Sequence, residues 1–144
     1  MTMKIKFCFA LLAAASMARS LAGHHAFAAE FDGNQPVTLK GVVTDMEWIN
    51  PHAWIHLDVT EADGTVTKWM VEGGSPNILL RRGFSRESLP KGTQVVIQGY
   101  KAKDGSRRAN GRDLTLPDGK QLFLGSSGGE GAPYEVQRPG VDVK

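Results

Sequence analysis

Apolar and polar residues alternate along much of the chain between positions 37 and 72. VTLKGVVTDMEWI has Val37, Leu39, Val42 and Met46 among its apolar positions, with Gly41 as a bulge or bend. In HAWIHLDV, Ala53, Ile55 and Leu57 fall on one parity and His52, Trp54 and His56 on the other. Successive side chains of a strand point to opposite faces, so this pattern commits the segment to strands with one buried and one open face.

The punctuation between the runs sets their order. Asn50-Pro51 breaks the first strand, and Asp63-Gly64 marks the turn of a hairpin formed by strands two and three. Ser75-Pro76 is a helix start, with Ser as N-cap and Pro at the first helical position, and NILLRR runs into a C-capping Gly83. TQVVIQGYKA is strand four. DGSRRANGR reads as a loop, and DLTLPDGKQLFLG supplies a fifth strand or a final hairpin around Asp118-Gly119. Three strands, a short helix and two more strands is the order of a mostly β, five-stranded Greek-key barrel of the OB type, with the helix between strands three and four. A small β-sandwich is the competing architecture.

The residues before strand one divide in two. Lys4 and Lys6 precede the apolar run FCFALLAAASMA, and Ser20-Leu21-Ala22 offers small residues where a signal peptidase reads, so residues 1–22 are expected to be a cleavable secretory signal. The run is shorter than the roughly 20 apolar residues a membrane span needs. Residues 23–36 read as an extended segment, 37–127 as the barrel domain and 128–144 as a flexible tail, the Gly, Ser and Pro content beginning at Gly125. The expected location is the periplasm, with no membrane span after cleavage.

Loss of the signal removes Lys4, Lys6 and Arg19, so the 17 basic residues fall to 14 against 15 acidic ones and the formal charge moves from +2 to −1. A near-neutral chain has little electrostatic reason to bind nucleic acid. Arg107, Arg108 and Arg112 are read as part of a solvated loop. Cys8, the single cysteine, lies in the signal, which leaves the mature chain no disulfide, thiolate ligand or cysteine nucleophile. Metal chemistry would have to come from His, carboxylate or backbone groups.

All four histidines occur in two short stretches, GHHAFAAEFD and EWINPHAWIHLD. On a strand, alternate Cα positions are roughly 7 Å apart, so His52, Trp54 and His56 follow one another along one face, with His52 and His56 about 14 Å apart at its two ends as candidate ligands of a metal or polar group. Cleavage after Ala22 would leave Gly23-His24-His25 at the amino terminus. There the amine, two amides and the His25 ring form a square-planar nitrogen set that favours Cu(II) or Ni(II). Cleavage one residue later would make His24 the terminus, able to chelate with a second imidazole such as His52.

The stretches HHAFAAEFD, VTLKGVVTDMEWINPHAWI, GSPNILLRRGF, GYKAKDGS and LTLPDGKQLFLGSS resemble an uncharacterised family of small secreted bacterial proteins, a domain of unknown function, from about His24 to Ser127. The family's usual opening is His-His-Ser-Phe, and Ala26 stands here in place of the serine. The resemblance carries no assigned activity.

No nucleophile elbow, phosphate loop or spaced acid-base pair occurs, so an enzyme is not expected. Two readings follow. In the first, an exported periplasmic binding protein holds a metal, copper above all, through His24, His25, His52 and His56. In the second, an interaction module binds a peptide, glycan or partner protein through a barrel face carrying Trp48, Asn50, Trp54, Trp69 and Glu72.

Overall fold

A computed structural model describes residues 26–125. The expected signal, His24, His25 and the expected tail lie outside the described residues. The described chain is mostly β, with six strands and only short helices.

In chain order the elements are α1 (Ala26–Glu30), β1 (Phe31–Glu47), β2 (Trp54–Thr60), β3 (Val66–Glu72), α2 (Pro76–Arg81), β4 (Gln94–Ala102), β5 (Arg108–Thr115) and β6 (Gln121–Phe123). β1 is long enough to serve two neighbours. Its first part pairs antiparallel with β4, from Phe31 opposite Ala102 to Val42 opposite Gln94, and its last part pairs with β2, from Gly41 opposite Val59 to Glu47 opposite Trp54. Gly41 sits where the two ladders overlap. A Cβ there would lie 2.8 Å from the Asp58 carbonyl oxygen, so the close approach of β2 requires glycine. A register shift between Val43 and Asp45 follows, bending the strand beyond the crossing point.

β2 and β3 form the expected hairpin, with Gly64 at φ 84° in its turn. β3 then pairs in parallel with β5 through Met70, Val71 and Glu72, opposite Arg108, Ala109 and Asn110, and β5 pairs antiparallel with β4. Each of β1 to β5 thus has at least two partners, leaving few backbone groups on open edges. Gly99 marks the irregularity in the β4–β5 ladder, where a Cβ would meet the Asn110 carbonyl.

The buried faces are those the alternation implies. Ala53, Ile55 and Leu57 are each 1% exposed, and they join Val43, Val71, Ile97 and Leu114 in one apolar cluster. Helix α2 is capped as its sequence implies. The Ser75 hydroxyl accepts from the Ile78 amide, Pro76 opens the helix, Gly83 turns out of it at φ 75°, and Leu79 is buried. Trp48 stacks on Phe84 at 6.2 Å between ring centroids and packs against the core, which closes the region beneath the loop after β1.

Three expectations need correction. The segment 23–36 is not uniformly extended: Ala26–Glu30 is helical and β1 begins at Phe31, ahead of the expected Val37. The reason is tertiary, since the Phe27 ring contacts both Phe31 and Tyr100. The second correction concerns the DGSRRANGR loop, which ends sooner than expected, because Arg108 to Arg112 lie in β5. Gly and Asn disfavour strands locally, but here Ala109 and Gly111 are buried and the segment is paired on both sides, by β3 and by β4. Finally, the described residues form six strands rather than five, since the final hairpin around Asp118-Gly119, with Gly119 at φ 85°, adds β6 to the edge of β5.

Candidate functional site

The loop between β1 and β2 carries Ile49, Asn50, Pro51 and His52, with a cis peptide bond between Asn50 and Pro51. One step into β2, Trp54 stands opposite Glu72, the last residue of β3. The end of α1 and the start of β1 bring Glu30 and Phe31 to the same place. Together these residues line a cleft of about 270 Å³.

At its base, Glu72 is 7% exposed and is the buried charged residue of the described chain. The His52 Nδ1 group bonds its Oε1 oxygen, and Asn110 Nδ2, on β5, donates to the same oxygen at 3.4 Å. Burial raises the pKa of Glu72 above the ordinary carboxylate value, the nearby Glu30 charge adds to the rise, and His52 and Asn110 oppose it. Because Nδ1 is engaged by a carboxylate, the His52 ring is fixed in orientation. Its Nε2 has no partner among the described residues. A carboxylate behind one imidazole nitrogen is the arrangement that orients a histidine metal ligand and makes its other nitrogen more basic.

The cleft is mixed in character. Trp54 and Ile49 give it apolar walls, Ile49 being 49% exposed, while Glu30, Asn50, His52 and Glu72 supply polar groups. Arg108 stands at its margin, with Nη1 3.5 Å from Glu30 and Nη2 3.1 Å from Asp104. Arg112 donates from Nε to Asp113 at 2.6 Å. The arginines at 108 and 112, expected in a solvated loop, are therefore strand residues with carboxylate partners.

Of the residues singled out in the sequence, the structure brings Asn50, His52, Trp54 and Glu72 into this cleft. Trp48 is elsewhere, against Phe84. His56 also stands apart from the cleft lining: its Nε2 donates to Glu47 Oε1 at 2.6 Å on the outer face of β1 and β2. Among the described residues, no group of three or more His, Cys, Asp or Glu side chains is placed to hold a metal ion. A wider groove of about 360 Å³, bounded by Val42, Asp58, Val96 and Leu116, contains none of the candidates. Sequence reasoning missed Glu30, Phe31 and Asn110. Glu30 and Phe31 belong to the HHAFAAEFD stretch and could have been suspected from it, whereas Asn110 lay in a segment whose strand character no local signal announced.

The family match spans residues 11–111 and so contains every residue of the cleft. The chain belongs to DUF6152, a family of unknown function. No curated protein and no solved structure matches it. Among the described residues, no helix is long and apolar enough to cross a membrane.

Proposed function

We propose that this DUF6152 member is an exported periplasmic binding protein, not an enzyme, built on an OB-type barrel, with the His52 cleft as its working surface and Cu(II) as its ligand. Support for the barrel comes from the cycle of pairings β1–β2–β3–β5–β4–β1, together with the position of α2 between β3 and β4. The observation that carries the ligand reading is the His52–Glu72 pair, which orients one imidazole and leaves Nε2 without a partner among the described residues, in a cleft walled by Glu30 and Phe31.

Those two wall residues follow closely on Gly23-His24-His25 in the chain. The described residues contribute one well-held imidazole and do not complete a metal site by themselves. In this proposal the other donors come from the amino-terminal segment: the amine, backbone amides and His25 when Gly23 is the first residue, or the amine and ring of His24 when it is. A nitrogen-rich set of that kind suits Cu(II), and Ni(II) after it. His52 then supplies a further imidazole, with Glu72 and Asn110 behind it as positioning residues. His56 lies outside this donor set.

Titration of the correctly processed protein with Cu(II), followed by visible absorption and electron paramagnetic resonance, tests the reading. One equivalent should bind with a nitrogen-ligand signature, more tightly than Zn(II) and more tightly as pH rises from about 5 to 8, because the amine and amides must lose protons to coordinate. His25→Ala should abolish the mode when Gly23 is the terminus, and His52→Ala should weaken it. Absence of a nitrogen-coordinated signal, or an unchanged affinity when one residue is added before Gly23, would overturn it. A second reading, a non-metal module that binds a peptide, glycan or partner protein, is favoured by the exposed Ile49 beside Trp54 at the cleft mouth.

A further inference from the structure

The outer face of β2 and β3 holds a second constellation, which adjoins the cleft through Trp54 and extends from it to His56 and Met70. His56 lies directly opposite Asp45 on β1 and opposite Met70 on β3, while Trp54 is opposite Glu72 and therefore diagonal to Met70. Directly opposed residues place their Cβ atoms about 4.5–5.5 Å apart, and diagonal ones about 7–8 Å, which long side chains bridge. The three side chains thus share one patch of sheet. None is sealed in the core: His56 is 28% exposed at its side chain, and Trp54 and Met70 are half-buried.

The state of each group is informative. His56 Nε2 donates to Glu47 at 2.6 Å, and its Nδ1 has no partner among the described residues. The carboxylate therefore orients the ring and makes the remaining nitrogen a better donor, although the pair stays solvated. Of the two methionines in the described residues, Met46 is buried in the apolar cluster, whereas Met70 is half-buried on β3 opposite His56. Arg108 is the β5 neighbour of Met70, and its guanidinium is engaged by Glu30, Asp104 and Ser106. Asp45 is paired with Lys91 at 3.2 Å and also interacts electrostatically with His56, while Glu47 is the carboxylate that bonds the imidazole.

We infer that His56, Met70 and Trp54 form a site for Cu(I), with the imidazole Nδ1 and the thioether sulfur as ligands and the indole as a cation–π wall. A thioether is a soft donor that selects Cu(I) over hard divalent ions, and imidazole accepts copper readily. A low-coordinate monovalent ion leaves room for an aromatic face, which attracts it electrostatically. This site shares no ligand with the amino-terminal Cu(II) set and does not depend on it.

The test uses protein exported and processed by its host, titrated with Cu(I) under anaerobic reducing conditions against a chromophoric Cu(I) chelator. One equivalent should bind, quench tryptophan emission and persist in His25→Ala and His52→Ala. Met70→Leu keeps the side-chain volume and removes the sulfur. It should weaken this equivalent by at least about tenfold, as should His56→Gln, while Trp54→Phe should remove most of the quenching. X-ray absorption of the Cu(I) form should contain a sulfur scatterer that disappears in Met70→Leu. The inference is overturned if Met70→Leu binds as tightly as the parent, if the parent spectrum contains no sulfur, or if the bound Cu(I) is lost in His25→Ala. The parent spectrum decides the matter even where a variant fails to fold.

Discussion

His52 and His56 each hold a carboxylate, yet the two pairs occupy different surroundings. Glu72, the partner of His52, is 9% exposed at its side chain, and Asn110 donates a further bond to it; Glu47, the partner of His56, is 41% exposed. In the first pair the carboxylate has given up most of its hydration and depends on protein donors, so the pair is a fixed part of the structure. The second remains solvated, and its hydrogen bond orients the ring at little energetic stake. Burial, more than the presence of an ion pair, separates a structural contact from a labile one.

Removal of the imidazole in the metal-free protein should expose this contrast most strongly. His52→Leu leaves Glu72 buried with its principal donor gone, and should cost about 2–4 kcal/mol of stability by thermal or urea unfolding. A loss below about 1 kcal/mol would place Glu72 in contact with water and dissolve the distinction.

The pH dependence of the metal-free protein sharpens the same point. Because burial raises the Glu72 pKa, the folded state holds that proton more tightly than the unfolded state does. The contribution of Glu72 is therefore full below the ordinary carboxylate value of 4.5 and declines as pH rises from there through the raised folded value. Melting temperatures of the parent and of Glu72→Gln, compared from about pH 4 upward, should show the parent losing ground relative to the variant. The reverse trend would mean that the His52 and Asn110 bonds outweigh desolvation.

Smaller effects should come from the periphery of each pair. Asn110→Ala removes one long hydrogen bond to Glu72 and should cost about 0.5–1.5 kcal/mol in chemical unfolding, with a matching loss in Cu(II) affinity if Glu72 positions His52. His56→Ala should cost less than about 1 kcal/mol, since its partner is solvated. A cost for His56→Ala equal to that of His52→Leu would erase the comparison.

Much of this arrangement is legible in the sequence. The alternation of Ala53, Ile55 and Leu57 with His52, Trp54 and His56 assigns the inner and outer faces of β2, because strand geometry converts parity directly into side. Ser75-Pro76 and Gly83 bound α2 through local hydrogen bonding and backbone conformation. Asn50, His52, Trp54 and Glu72 can be nominated from residue type and place, yet nothing local separates them from Trp48 or indicates that His56 takes Glu47 instead of joining His52.

What the chain determined by itself was therefore the short-range part: the strand character of β2, β3 and β4, the turns that bound them and the inward parity of β2. Contacts between segments distant in sequence were decided by the tertiary structure. The pairing of β3 with β5 set Asn110 opposite Glu72, although Arg108 to Arg112 read as a loop. The contacts of Phe27 with Phe31 and Tyr100 packed α1 beside the start of β1, where Glu30 meets the cleft. Parity and capping act over a few residues and leave a local signature, whereas the burial of Glu72 requires three strands and a loop to converge, a condition that no single stretch of sequence contains.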